Sequence, residues 1–202
     1  MDTSWKNTQR APFILASGSP QRKHLLESLG IVIKIHRTDY LEHGEPGLEM
    51  NELVEQLALD KFRQCSPSLP VFHDSPWVLT ADTLVFLEGQ ALGKPRDLQQ
   101  AKDFLSLLSG NTHQVATGVC LVSPEKQQFL FSVTTDVTFS PLTDEQIRWY
   151  GKTLEWEGAA GGYRIQGAGA ALVQSISGSS TNVIGLPLAE IYGILSGHKF
   201  WL

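Results

Sequence analysis

The sequence predicts an α/β fold, a mixed twisted β-sheet flanked by helices, with room for a second lobe built around its central β-rich part. Three observations predict it. In the N-terminal half, short β-prone apolar runs alternate with helical patterns, the signature of strands joined by helices. In the middle, two long β-rich runs, residues 113–122 and 129–139, are separated only by Ser123-Pro124-Glu125-Lys126, so they form a hairpin or neighbouring strands. Across 202 residues, 42% hydrophobic and 18% charged content is that of a soluble globular chain with a sizeable core, read as one domain over residues 1–202.

Taken in order, residues 13–16 form a strand broken by Ser17-Gly18-Ser19-Pro20. A serine caps well and proline is tolerated in a first turn, so a helix follows over 21–29, stopped by Gly30. The turn leaves backbone N–H groups at a helix N-terminus, where anions bind. Residues 31–35 form a strand and 38–47 a polar loop containing Asp39, Glu42 and Glu45. In 48–65, Met50, Leu53, Val54, Leu57, Ala58, Phe62 and Cys65 recur at three- and four-residue steps, which predicts a helix. Residues 66–76 are a Pro- and Ser-rich loop. The strand 78–81 ends on Asp82, a second apolar run follows, and Gly93-Lys94-Pro95 makes a constrained turn. A helix over 98–108 is capped by Gly110, and another over 143–150 opens with the capping-box pattern Thr143-Asp144-Glu145-Gln146. A glycine-rich stretch, 157–169, precedes a strand at 171–176 and a closing helix at 186–195. The loops 38–47 and 157–169 are placed to lie across a cleft.

The net charge of −5 argues against a broad nucleic-acid-binding surface, which needs clustered Lys and Arg, but leaves room for a small anion in a local basic pocket. Cys65 and Cys120 show no CxxC pairing and read as buried thiols in a reducing compartment. Residues 1–10 carry no apolar signal core, and no run approaches the roughly 18 apolar residues of a membrane span, so a cytoplasmic protein with no membrane partner is expected. The histidines lack ligand spacing and read as structural or exposed. No P-loop, dinucleotide-binding glycine pattern, HExxH or Gly-x-Ser-x-Gly motif is present.

The chemistry-bearing candidates each have two readings. Asp82 at a strand end stands where ligands bind in α/β sheets, or is a turn aspartate. Lys94, twelve residues on, either meets a ligand beside a glycine or is a surface lysine. Arg22 opposes the dipole of its helix, a cost offset if an anion binds there, or is a solvated helix-start arginine. Lys61 sits at the edge of its helix's apolar stripe, where a lysine either snorkels to water or points into a cleft. Gln166, in Tyr163-Arg164-Ile165-Gln166-Gly167, carries an amide that both donates and accepts, suited to a base edge, or is a turn residue. Residue chemistry alone reaches an α/β protein with an anion or phosphate site.

Four segments together resemble the Maf family of nucleoside triphosphate pyrophosphatases. They are Leu15-Ala16-Ser17-Gly18-Ser19-Pro20-Gln21-Arg22, Ala81-Asp82-Thr83, Gly93-Lys94-Pro95 and Gly161-Gly162-Tyr163-Arg164-Ile165-Gln166-Gly167. Leu107-Leu108-Ser109-Gly110, His113-Gln114-Val115-Ala116-Thr117-Gly118-Val119 and Val183-Ile184-Gly185-Leu186-Pro187-Leu188 also match, in the family's order over nearly the whole chain. Tyr-x-Ile-Gln-Gly resembles the dTTP/UTP branch; the 7-methyl-GTP branch has glutamate for that glutamine.

The resemblance implies an elongated, two-lobed mixed-sheet α/β fold with a central cleft, related to the inosine triphosphate pyrophosphatases. It implies hydrolysis between the α and β phosphates to a nucleoside monophosphate and pyrophosphate, with a divalent cation, Mg or Mn, as cofactor. By motif position, Asp82 is the catalytic acidic residue; Ser17, Arg22, Lys61 and Lys94 bind phosphate; Glu42 and Asp82 hold the metal; Gln21, Thr83 and Gln166 set base specificity. Asp82 either deprotonates water or holds the cation. The usual Ser-Pro-Arg-Arg is Ser19-Pro20-Gln21-Arg22 here, which puts the pyrimidine preference in question, and Ala159-Ala160 stand where many members carry a lysine. The expected partner is a nucleoside triphosphate, with a homodimer among the assemblies the sequence leaves open. The competing reading is a nucleotide-binding regulator of cell division and septum formation with little catalysis.

Overall fold

The computed structural model describes residues 11–37, 47–69 and 75–201. The chain divides into two compact units. The first comprises Met1–Asp82, Thr117–Ser132 and Gly185–Leu202; the second comprises Thr83–Ala116 and Val133–Ile184. In chain order the elements are β1 (Phe13–Leu15), α1 (Pro20–Ser28), β2 (Ile33–Ile35), α2 (Met50–Cys65), β3 (Trp77–Leu87), β4 (Gln90–Leu92), α3 (Leu98–Leu108), β5 (Thr112–Val122), β6 (Gln128–Phe139), α4 (Asp144–Gly151), β7 (Val173–Ser177), α5 (Ser180–Ile184) and α6 (Leu188–Gly197). The strands form one seven-stranded sheet in the order β2-β1-β3-β5-β6-β7, with β4 paired to β3. β1 is parallel to both β2 and β3, whereas β4 and β7 pair antiparallel to β3 and β6. The expected mixed α/β sheet is therefore present.

In the first unit, β1 is buried along its whole length because it has a parallel neighbour on each side, with Phe13 opposite Trp77 and Leu15 opposite Leu79. α1 begins as expected, with the Ser19 side chain accepting from the Arg22 N–H and Pro20 in the first turn, and Gly30 ends it at φ 74°. α2 buries Val54, Leu57, Ala58 and Cys65. Two contacts set where it lies. Thr80 Oγ1 donates to the Ala58 carbonyl at 2.7 Å, and Gly118 of β5 lies so close to the Val54 carbonyl that a Cβ there would collide with it. Cys65 and Cys120 are both buried and unbridged, as expected, and burial pushes each thiol up to about 11.

Three parts of the order differ from expectation. β3 does not stop at Asp82 but continues to Leu87, so Asp82 sits mid-strand. The carboxylate is met by a side chain, Lys61, and caps no turn, so strand pairing continues through β-prone Thr83, Val85 and Phe86. β4 was not foreseen. It returns through a two-residue turn, Glu88-Gly89, both at positive φ (51° and 80°), with Leu87 opposite Gln90. Such turns are signalled by Asn-Gly or Asp-Gly, and Glu-Gly lacks that signal. The short helix α5 was also unforeseen, and Glu42 lies outside the described residues.

The second unit's core gathers Val85, Leu105, Leu108, Val137, Phe139, Tyr150, Trp156 and Leu172 beneath α3 and α4. His113 lies inside it, 1% exposed, edge-on to Phe139 and Tyr163, with Nε2 2.8 Å from the Tyr163 hydroxyl. Burial lowers its pKa from 6.5 to about 4, so the folded chain holds a neutral ring. An unfolded chain binds this proton more readily than the folded one. The stability contribution is complete above about pH 6.5 and is lost as pH falls toward 4, by roughly 3 kcal/mol. Urea midpoints measured from pH 7 to 4 will fall through this window, and His113→Gln will flatten the fall.

Candidate active site

Two groups of the residues expected at the site form in the first unit, at the same end of the sheet. β1 ends at Leu15, opposite Leu79, and the next N–H, that of Ala16, donates to the Leu79 carbonyl at 2.9 Å. Ser17 follows on one chain, and Asp82 lies three residues past Leu79 on the other. Both therefore stand beyond the carboxyl end of β1, the side on which parallel sheets bind ligands.

The first group is Ser17, Ser19, Gln21 and Arg22. Ser17 Oγ accepts from the Ser19 N–H and from Arg22 Nη1, each at 3.2 Å. Arg22 Nε donates to the Gly185 carbonyl at 2.9 Å. The guanidinium is thus held on two sides and the residue is only 9% exposed, which excludes the solvated helix-start reading. Gln21 is half-buried, and its Oε1 accepts from the Ser19 hydroxyl at 3.3 Å. The amide therefore engages the turn and adds no charge to it.

The second group is Lys61 and Asp82. Ala58 is fixed under Thr80, and Lys61 comes one turn later on the same face of α2. Its Nζ ion-pairs with Asp82 Oδ1, with the two side chains only 12% and 5% exposed. The snorkelling alternative is therefore excluded. Asp82 Oδ2 is buried and has no hydrogen-bond partner among the described residues. An unmet carboxylate oxygen costs about 1–3 kcal/mol, a cost that a bound group would remove. The described residues contain no cluster of three or more His, Cys, Asp or Glu. One carboxylate with an open oxygen fits a Mg²⁺-like ion, which takes one or two carboxylates and fills its shell with water and substrate oxygens.

Three candidates lie in the second unit. Thr83 is half-buried next to Asp82 in β3. Lys94 is exposed, between Gly93 and buried Pro95. The Gly93 carbonyl accepts from the Gly161 N–H at 3.0 Å, which ties the Lys94 turn to the segment that bears Gln166. Gly161, at φ 66°, lies so close to Val85 that a Cβ would meet it at 2.8 Å. Gln166 is exposed, on a turn held by Tyr150 and Glu155. Neither of those residues was singled out in the sequence, and no local pattern marks them; Gly185 lies in a segment that was, but was given no role, because its contribution is a backbone carbonyl.

The family model for Maf-like protein matches residues 12–198. The chain belongs to the Maf-like family. A dTTP/UTP pyrophosphatase from Symbiobacterium thermophilum is 46% identical over 91% of this chain and 92% of its own length. A dTTP/UTP pyrophosphatase from Halalkalibacterium halodurans is 42% identical over 94% and 97%. A solved dITP/XTP pyrophosphatase from Mycobacterium abscessus aligns with 94% of both chains at 13% identity and a TM-score of 0.43. In this Maf-like chain Ser17 to Arg22 and Asp82 stand at the same end of the sheet, beyond the carboxyl end of β1.

The buried pair predicts a stability pattern. Lys61→Met removes the partner of a buried carboxylate and will cost about 3 kcal/mol in urea unfolding. Adding Asp82→Asn will recover at least half of that loss, and the coupling is read from the four-member double-mutant cycle.

Proposed function

We propose that the protein is a divalent-cation-dependent nucleoside triphosphate pyrophosphatase. It hydrolyses the α–β phosphoanhydride of UTP, dTTP or a related pyrimidine nucleotide, giving the nucleoside monophosphate and pyrophosphate. The observation that carries this reading is the buried Lys61–Asp82 pair with Asp82 Oδ2 left open, at the same sheet end as Ser17 and Arg22. The names of two relatives above 40% identity support the substrate class.

Asp82 and Glu42 are the carboxylates proposed to hold Mg²⁺ or Mn²⁺, and such an ion supplies charge neutralisation on the phosphates and activation of water. The protein's own residues do the rest. Phosphoryl transfer calls for positioning and charge compensation more than covalent help. Arg22, already held in place, meets phosphate oxygens without losing side-chain freedom at that moment. Ser17 Oγ and the Gln21 N–H in the first turn of α1 add neutral donors. Lys61 holds Asp82 Oδ1 in the resting site, and its ammonium is proposed to meet incoming phosphate charge. Asp82 accepts a proton from the attacking water through the oxygen that has no protein partner, or holds the cation there. Lys94 is proposed as a further phosphate ligand, and Thr83, Gln21 and Gln166 as determinants of base choice.

Product analysis tests the reading. With UTP and Mg²⁺ or Mn²⁺, pyrophosphate and UMP will appear in equal amounts and chelation will stop the reaction; orthophosphate and UDP would reject it. Gln21→Arg restores a cation beside Ser19 and will raise kcat/KM for UTP several-fold, measured by initial rates at low salt.

A further inference from the structure

The segment that carries Gln166 is held from both sides by one small network. Upstream of Gln166, the Arg164 N–H donates to the Tyr150 hydroxyl at 3.0 Å. Downstream, the N–H groups of Ala168 and Gly169 donate to the two carboxylate oxygens of Glu155, at 2.9 and 3.3 Å. Tyr150 closes the loop by donating its hydroxyl to Glu155 Oε2 at 3.3 Å. Arg164 adds two bonds, from Nε to the Glu155 carbonyl at 2.8 Å and from Nη2 to the Glu157 carbonyl at 2.7 Å. Tyr150 is fully buried, so the bracket rests on a rigid part of the core. Gly167 packs against the Glu155 carboxylate so closely that a Cβ at that position would run into it. Between these fixed points Ile165 packs against the core and Gly167 against Glu155, and Gln166 alone of the three is exposed.

A network this complete around one exposed amide has a chemical consequence. Uracil and thymine present an acceptor beside an N–H donor, and cytosine presents the reverse order. An amide can satisfy either order by turning over. To prefer one, its position relative to the base must be fixed, so that the unfavoured order leaves polar groups unpaired.

We propose that Glu155 and Tyr150 are positioning residues that fix Gln166 and thereby let the protein distinguish uracil from cytosine nucleotides; this rests on the reading above that Gln166 meets the base. Glu155 and Tyr150 act through the backbone on either side of Gln166 and contact no substrate. Gly167 belongs to the same device, because it is the residue that admits the carboxylate.

The experiment compares kcat/KM for UTP and CTP, with Mg²⁺, in the full-length protein and in Glu155→Gln, Tyr150→Phe, Gly167→Ala and Gln166→Ala. Folding is checked for each by thermal melting. Glu155→Gln, Tyr150→Phe and Gly167→Ala will each lower the UTP/CTP ratio about tenfold, a discrimination change of ordinary size for a hydrogen-bonded site. The loss will come mainly from a higher KM for UTP, with kcat kept within a few-fold. Combining Glu155→Gln with Gln166→Ala will lower the ratio no further than Gln166→Ala alone, which a general loss of packing would not produce. An unchanged ratio in folded Glu155→Gln or Tyr150→Phe, while Gln166→Ala changes it, overturns the positioning role and leaves the proposed activity standing. An unchanged ratio in Gln166→Ala overturns the positioning role together with the assignment of Gln166 to the base. If the variants do not fold, hydrogen exchange on the unmodified protein decides: protected amides at Arg164, Ala168 and Gly169 support the bracket, and fast exchange at all three overturns it.

Discussion

The ion pair between Lys61 and Asp82 is the constraint on which the rest of the site depends. Each partner brings a charge into a nearly dry place, and neither would be stable there alone. Together they are tolerable, and the arrangement leaves one carboxylate oxygen buried and unmet. A protein selected for stability alone would gain by placing apolar side chains there. The pair is better understood as the resting form of a site in which water, a cation or a phosphate completes the polar contacts.

Where that pair sits is decided by packing at a distance from it. Gly118 lets α2 come down on β5, and the Thr80 hydroxyl fixes the Ala58 carbonyl one turn before Lys61. A side chain at Gly118 or loss of the Thr80 hydroxyl would shift the helix and with it the ammonium, although neither residue bears on the chemistry. Arg22 is held in a similar way. Its acceptors include Ser17, five residues back, and the Gly185 carbonyl, 163 residues on. Long-range backbone contacts thus prepare charges that local helix rules would disfavour.

Much of the architecture was legible in the sequence because periodicity reports burial directly. The three- and four-residue spacing of α2, the capping box of α4 and the two β-rich runs of β5 and β6 all became the elements expected. What was not legible depended on partners far along the chain. Asp82 looked like the end of a strand because aspartate disfavours strands, yet Lys61 makes its mid-strand place acceptable. The Glu88-Gly89 turn has the right backbone with an unusual residue in its first position. Of the site, the polar types were visible but their directions were not. Lys61 could have snorkelled, and Arg22 could have been solvated. Glu155 and Tyr150 had no local signature because their role is to hold backbone N–H groups that only the folded turn brings to them.

The most direct measurement of the account is steady-state turnover of UTP by Asp82→Asn, set beside its circular dichroism and melting curve. The account holds that the second carboxylate oxygen is where water or cation meets the protein. The variant will therefore keep its fold and lose about a thousand-fold or more in kcat, of the order seen when a group acting in the transition state is removed. A folded Asp82→Asn protein that turns over UTP at the unmodified rate would contradict it.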